Sequence, residues 1–420
     1  MKSRTTIRLG DALDLSFIPD SSVDLVITSP PYFGQRIYLD DMGNPITHAV
    51  GSEATPSEYL AALGVFMEEM WRVVKPTGSV FVNMGDKYAG SGGHNNASIQ
   101  GTTYDADKPT RDGPSRYVKI TEVRRKSLLG LPWRFALQSM DAGWILRQEM
   151  IWDKPNGMPE SVTDRTRRTH EQWFHFTREE MYFAAVDELR EPHQEVSEKR
   201  AKRGRGEDWG KDRHPPGQPP QEWDPGSSLH SLGKLPSSVQ RISTGGIRPT
   251  ADEKARFNLP DHFAPYPAEW PRFFILGWSP KAWCVECGEP VRPIVEKTRT
   301  TSGSDDRSKG AEAETMGGVP TGGQIDNRGE TTAEIIGYSC GSHASILPEH
   351  LSDPPTSWTP STVLDPFAGT GTTSLVARLL SRSSIAVDIS PAYIRLMNWR
   401  LHVSDHQAKL SRKWQKKGLL

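Results

Sequence analysis

Two apolar runs at opposite ends of the chain, Val23 to Ile27 and Thr362 to Leu364, each break into a turn rich in Pro or Gly. Short aliphatic runs without polar alternation read as strands buried on both faces, which in practice means a parallel sheet covered by helices. Ligands of such sheets gather beyond the carboxyl ends of the strands. The residues that follow the two runs, Thr28-Ser29-Pro30-Pro31-Tyr32 and Asp365-Pro366-Phe367-Ala368-Gly369-Thr370-Gly371-Thr372-Thr373, therefore fall where a crevice forms. Tyr59, Leu63, Phe66-Met67 and Met70-Trp71 recur at helical spacing, a stripe that reads as core rather than site.

The first turn has a chemical logic. Pro30 and Pro31 fix φ and remove two backbone donors, so the segment offers carbonyl acceptors that its own amides do not cap. Acceptors without competing donors suit an amino group. Ser29 adds a hydroxyl acceptor, and Tyr32 adds a flat ring able to stack on a planar heterocycle. An exocyclic base amine is a poor nucleophile because its lone pair is delocalised; two acceptors gripping its protons favour a pyramidal nitrogen. Taken alone, the pentapeptide also fits a proline-rich turn or a docking peptide.

The second stretch is a strand-to-helix turn in which Gly369 and Gly371 allow close backbone approach to a ligand, while Thr372 and Thr373 open a helix. No G-K-[ST] follows, so it is not a phosphate-binding P-loop. Ser384 to Asp388 is a further buried strand ending in a carboxylate, the usual way such folds hold ribose hydroxyls. The ligand expected here carries a ribose.

With these motifs in hand, the chain resembles the amino-group DNA methyltransferases that use S-adenosylmethionine, in the permuted (beta) group where S-P-P-Y precedes D-P-F-x-G-x-G-T-T. Further segments resemble the family: Gly10-Asp11 with Ser22 to Ile27, Glu69 to Asp86, Trp152-Asp153-Lys154-Pro155-Asn156, Arg168-Thr169-His170-Glu171 with Phe176, and His262-Phe263-Ala264-Pro265-Tyr266-Pro267. The resemblance covers most of residues 7–183 and 260–402. It implies a doubly wound, mostly parallel Rossmann-like α/β sheet, circularly permuted, that carries a recognition insertion. It implies catalytic roles for Ser29, Pro30, Pro31 and Tyr32, and cofactor contacts from Asp11, Phe263, Pro265, Asp365, Phe367, Gly369, Gly371, Thr372, Thr373 and Asp388. It assigns Trp152, Lys154, Asn156, Arg168 and Arg36 to the base pocket or DNA.

Among such enzymes a serine before Pro-Pro-Tyr goes mostly with cytosine N4 and an aspartate with adenine N6, so the resemblance implies cytosine, with adenine as the alternative. The implied chemistry is direct transfer from the sulfonium to the amine of a flipped base. No cysteine stands after a proline, which disfavours covalent attack on a pyrimidine ring carbon. An RNA amine as substrate, or a non-catalytic zinc-bearing DNA-binding protein on the same scaffold, stays open.

All three cysteines enter two knuckles, Cys284-x-x-Cys287 and Cys340-x-x-His343, a ligand set that suits structural zinc. The plain alternative is one incidental pair and an unrelated buried thiol. His350 is the nearest substitute for His343.

At 420 residues, 35% hydrophobic and 25% charged, the chain can bury one large core. No apolar stretch approaches membrane-spanning length and the first residues lack the apolar core of a secretory signal, so the expected place is the cytoplasm, away from membranes. A net charge of −1 is unhelpful to a partner of duplex DNA, but basic residues cluster at Arg116 to Lys126, Arg165 to Arg168, Lys199 to Arg213 and Lys409 to Lys417. A cognate restriction endonuclease is a further partner that the resemblance allows.

The expected organisation is a catalytic half over 1–183 with a mobile loop at about 89–120, a recognition insertion over 184–258 and a cofactor-closing segment over 259–283. A zinc knuckle follows over 284–345 with a flexible excursion at 298–334, then a cofactor-binding half over 346–405 and a basic tail over 406–420.

Overall fold

A computed structural model of the chain describes residues 3–35, 38–89, 123–157, 159–160, 162–203, 229–247, 249–260, 265–301, 329–341 and 358–418. Its main sheet has eight strands. Numbered in chain order and taken across the sheet, they are β1 (Thr5–Leu9), β12 (Ser383–Asp388), β11 (Thr362–Asp365), β2 (Val23–Thr28), β3 (Val74–Met84), β5 (His170–Thr177), β4 (Ile145–Asp153) and β6 (Val239–Arg241). Only β5 runs against the others, so the sheet is mixed but mostly parallel.

The two runs that open the sequence argument are neighbours. Val363 on β11 pairs with Leu25 on β2, and Leu364 with Val26, in parallel register. Side chains along β2 and β3 alternate between two cores with the period of two that a pleat imposes. Val26, Val80 and Val82 face one side and pack with Tyr59, Leu63, Phe66 and Met70 of helix α1 (Pro56–Val73) and Phe135 of α2 (Leu131–Asp141). Leu25, Ile27 and Phe81 face the other, against Trp270, Phe274 and Trp278 of α5 (Glu269–Trp278), Val376 of α6 (Thr372–Leu379) and Trp414 of α8 (His406–Gln415). Helix α1 starts where it does because Thr55 and Glu58 form a reciprocal capping box and Pro56 occupies the first turn. The remaining helices are α3 (Glu195–Arg203), α4 (Ala251–Phe257) and α7 (Pro391–Asn398).

Two small sheets stand apart from the main one. Strand β7 (Ala282–Cys284) pairs antiparallel with β10 (Trp358–Pro360), and β8 (Arg292–Thr301) with β9 (Gly329–Ser339). The second pair corrects the expected excursion over 298–334. Residues 298–301 and 329–334 belong to a regular antiparallel ladder, and only 302–328 lie outside the described residues. Low apolar content hid it, because Thr-rich strands gain their order from cross-strand pairing rather than from an apolar face. The loop expected at about 89–120 lies outside the described residues apart from Ala89. Among the described residues no helix is long and apolar enough to cross a membrane.

Candidate active site at the strand ends

A cleft of about 480 Å³ opens at the carboxyl ends of β2, β11 and β12. Both predicted turns line it: Ser29, Pro30, Pro31 and Tyr32 on one wall, Phe367, Gly369 and Thr372 on the other, with Asp11, Asp388, Trp152, Lys154 and Pro265 completing it.

The first wall is held from β3 and β5. The amide of Asn83, 1% exposed, donates from Nδ2 to the Gln172 carbonyl at 3.0 Å, which fixes Oδ1 towards the cleft. That oxygen accepts from Ser29 Oγ at 3.3 Å and lies 2.9 Å from the Tyr32 hydroxyl, itself 2.8 Å from Glu171 Oε2. Ser29 therefore spends its proton on Asn83 and keeps lone pairs free to accept. Burial first, then the Glu171 charge, pushes the Tyr32 phenol well above its ordinary value, so it stays protonated. Gly85 is what lets the Tyr32 ring lie so close to the end of β3: a Cβ there would stand 2.4 Å from a ring carbon. The two proline carbonyls are not equivalent. Pro31 accepts from the Tyr59 hydroxyl at 3.0 Å, whereas among the described residues nothing donates to the carbonyl of Pro30.

The second wall hangs on two buried carboxylates. Asp388, 7% exposed, accepts from the amides of Gly369 at 2.8 Å and Ser390 at 2.9 Å. Burial nevertheless pushes its carboxyl up to about 7. Asp365, 1% exposed, lies below the cleft rather than in it. It accepts from Thr28 Oγ1 at 2.8 Å, Thr373 Oγ1 at 2.8 Å and Tyr266 OH at 2.7 Å, so it ties β2, α6 and the segment before α5 together. Burial raises its carboxyl, against the pull of those donors. Gly371 caps α6 with φ of 71°, and a Cβ there would stand 3.0 Å from Met397 Cγ, so the position disfavours any residue with a Cβ.

Not every expected contact residue lines the cleft. Asp365, Gly371 and Thr373 do not line the cleft; they shape the turn from behind. Arg168 turns to Asp86 at 3.6 Å and Gln172 Oε1 at 3.2 Å, because two buried acceptors outcompete solvent for its guanidinium. Asn156 clamps a loop instead of facing the cleft: its Oδ1 accepts from the Thr244 amide at 2.8 Å, and Thr244 is a lining residue. Lys154 is paired with Glu171 and lies 4.1 Å from the Trp152 ring centroid. Arg36, Phe263 and His343 lie outside the described residues. The sequence reading gave no role to Asn83, Glu171 or Tyr266. Each stood in a segment that it singled out, but the antiparallel pairing of β5 with β3 and β4 places Asn83 and Glu171, and the hydrogen bond to Asp365 places Tyr266.

The thiols of Cys284, Cys287 and Cys340 lie within 4.8 Å of one another. Backbone hydrogen bonds, the Cys287 amide foremost, pull the Cys284 thiol down to about 7, while, against the Glu289 amide, burial first and then the neighbouring thiols hold Cys287 up at about 11. One thiolate ready to form beside two more sulfur donors suits a tetrahedral, thiolate-rich ion. The neighbouring Trp283 donates from its indole to Asp24 of β2 at 2.7 Å, so this corner is tied to the strand that carries Ser29.

A mostly parallel sheet whose strand ends bring a glycine turn, a ribose-type carboxylate and proline-fixed acceptors into one cleft has the makings of a nucleotide-type group-transfer fold. The chain belongs to the DNA methylase family (N6_N4_Mtase), whose model matches residues 23–285 and 350–398. It is 37% identical over 195 residues to the Type II methyltransferase M.XycI of Xanthomonas campestris pv. cyanopsidis, a match over 45% of this chain and 59% of that protein. It is 35% identical over 189 residues to M.SmaI of Serratia marcescens, over 44% and 60%. The matched stretches thus span about three fifths of these relatives. A solved PvuII DNA methyltransferase (cytosine-N4-specific) aligns over 99% of this chain and 96% of its own, at 16% identity and a TM-score of 0.49.

Proposed function

We propose that this protein transfers a methyl group from S-adenosylmethionine to the exocyclic amine of a base flipped out of duplex DNA, with N4 of cytosine as the acceptor. The observation that carries the reading is the shared cleft: Ser29, Pro30 and Tyr32 face Phe367, Gly369 and Asp388 across it.

The cofactor fits what lines the cleft. Asp388, Gly369 and Asp11 would hold its ribose and adenine end, and Phe367 and Pro265 would flank the rest; when bound it supplies an electrophilic methyl on sulfur. The protein's own part is to orient the nucleophile. Ser29, whose hydroxyl donates to Asn83, and the open Pro30 carbonyl would each accept one amine hydrogen, localising the nitrogen lone pair towards the donor. Tyr32 and Trp152 supply flat surfaces for the base, and Lys154, neutralised by Glu171, adds a cation at the rim without net charge. The serine in Ser29-Pro30-Pro31-Tyr32 favours cytosine over adenine.

The family's place in the strand order supports a permuted chain, in which the acceptor strand β2 precedes the cofactor strand β11 in sequence yet lies beside it. Residues 184–258 would read the target sequence, and the three cysteines would hold a structural zinc with His343 as fourth ligand. Those relatives called Type II methyltransferases support a restriction-modification role, with a cognate endonuclease as partner.

Incubation with mixed-sequence duplex DNA and methyl-labelled cofactor, followed by nucleoside analysis, tests the reading. Label in N4-methylcytosine is expected. Label solely in N6-methyladenine overturns the choice of base, and no label in either amine overturns the function.

A further inference from the structure

Beside the cleft, and sharing Thr244, Gly245, Pro265 and Tyr266 with it, lies a second cavity of about 540 Å³. Its walls carry Arg241 from the end of β6, Arg400 from beyond α7, and Lys413 and Lys417 from α8 and the turn after it, with Glu269 as the carboxylate among the lining residues. Among the described lining residues four cations stand against one anion, an unusual balance for a cavity that nothing yet described uses.

Arg400 makes the imbalance costly. It is 7% exposed, and its Nη1 donates to the carbonyl and hydroxyl of Thr370 and to Thr372 Oγ1 at 2.8–2.9 Å, all neutral oxygens of the glycine turn. Its Nε has no hydrogen-bond partner, and the acceptors it has among the described residues are neutral. A buried guanidinium without a counter-ion pays the desolvation of its charge, a cost that a bound anion would offset. The other cations are exposed, two of them within surface ion pairs. Arg241 is 74% exposed and 3.5 Å from Asp153, Lys413 is half exposed beside Glu269, and Lys417 makes no ion pair among the described residues. Trp152 and Asn156 hold the loop that forms the near wall, through Ile242 and Thr244, so the cavity is braced by the same strand end that faces the base.

We infer that this cavity seats a backbone phosphate of the duplex strand that carries the extruded nucleotide. Flipping rotates a nucleotide about its flanking phosphodiesters, so a fixed anion site next to the base pocket would hold the strand while the base leaves the stack. The inference rests on the DNA-methylating reading. It gives the basic α8, whose Leu410 and Trp414 pack into the core, a working face.

The test is equilibrium binding of a fluorescent mixed-sequence duplex across a salt series, with labelled S-adenosylmethionine affinity measured alongside without DNA. Each phosphate contact contributes about 0.9 to the slope of log affinity against log salt. For the Lys413→Gln/Lys417→Gln protein the slope should become shallower by up to about 0.9 and the affinity should fall about fivefold near 0.1 M salt. Cofactor affinity should not change. Lys409→Gln/Lys416→Gln removes the same charge from α8 outside the cavity and should leave the slope as it was. Equal effects of both pairs, an unchanged slope, or a loss of cofactor affinity in place of DNA affinity each overturn the inference while leaving the methyltransferase reading intact. Absence of duplex binding by the unsubstituted protein removes that reading and the phosphate site with it.

Discussion

The hydroxyl of Thr28 donates to Asp365 at 2.8 Å across 337 positions of sequence. It is the contact by which the acceptor strand and the cofactor strand lock their ends together, and Thr373 and Tyr266 join at the same carboxylate.

Removing that carboxylate should therefore cost stability before it costs chemistry. Asp365→Ala leaves three buried hydroxyls without their acceptor, a loss of about 3 kcal/mol, whereas Thr28→Val should cost about 1 kcal/mol. Denaturant unfolding of both single variants and of the pair reads the coupling. A change below about 0.5 kcal/mol for Asp365→Ala would show the knot to be ornamental.

Asn83 is expected to act through Ser29 and Tyr32. In Asn83→Ala the two hydroxyls lose the oxygen that orients them, and kcat should fall by about 10- to 100-fold with little change in cofactor affinity. A drop in cofactor affinity with kcat preserved contradicts a positioning role.

Much of this arrangement was legible in the sequence. The β2, β11 and β12 strands stood out because burial on both faces leaves apolar runs without alternation, and their turns announced themselves through Pro and Gly. The helix α1 stripe was equally plain. What the sequence did not reveal is set by non-local pairing. Asn83 faces inward only because β5 returns antiparallel beside β3. Asp365 reads as a ligand in its motif, yet the Thr373 hydroxyl of that motif and two from distant segments, Thr28 and Tyr266, hold it below the cleft. The last helix read as a solvated basic tail, since two anchors, Leu410 and Trp414, are too few to make a periodic signal against so many lysines and arginines.

Cofactor binding should weaken in acid. Asp388 has an ordinary carboxyl value of 3.8 and is pushed up to about 7 in the fold. The folded state therefore binds a proton more readily than the unfolded chain between these values, and this group's contribution to stability falls as pH rises from about 4 to 7. The ionised carboxylate is the stronger acceptor for ribose hydroxyls, so S-adenosylmethionine affinity should decline below about pH 7, by at most about tenfold per unit. Affinity that stays flat between about pH 8 and pH 5.5, or an Asp388→Asn protein with the same profile, contradicts the assignment.

The cysteine corner should carry one zinc per chain. Chelation should lower Tm by roughly 5 °C or more and loosen the Trp283 contact with Asp24, visible as a change in indole fluorescence. Stoichiometric zinc in a Cys284→Ser/Cys287→Ser protein, or a metal-free protein of undiminished Tm, speaks against it.

Hydrogen exchange with and without S-adenosylmethionine tests most directly whether the two ends of the chain build one site, and it needs no knowledge of the DNA target. Protection on cofactor binding is predicted at residues 10–13, 366–372 and 388–390 and, across the cleft, at residues 29–35. Protection confined to one end of the sequence, with the other exchanging as before, contradicts the account.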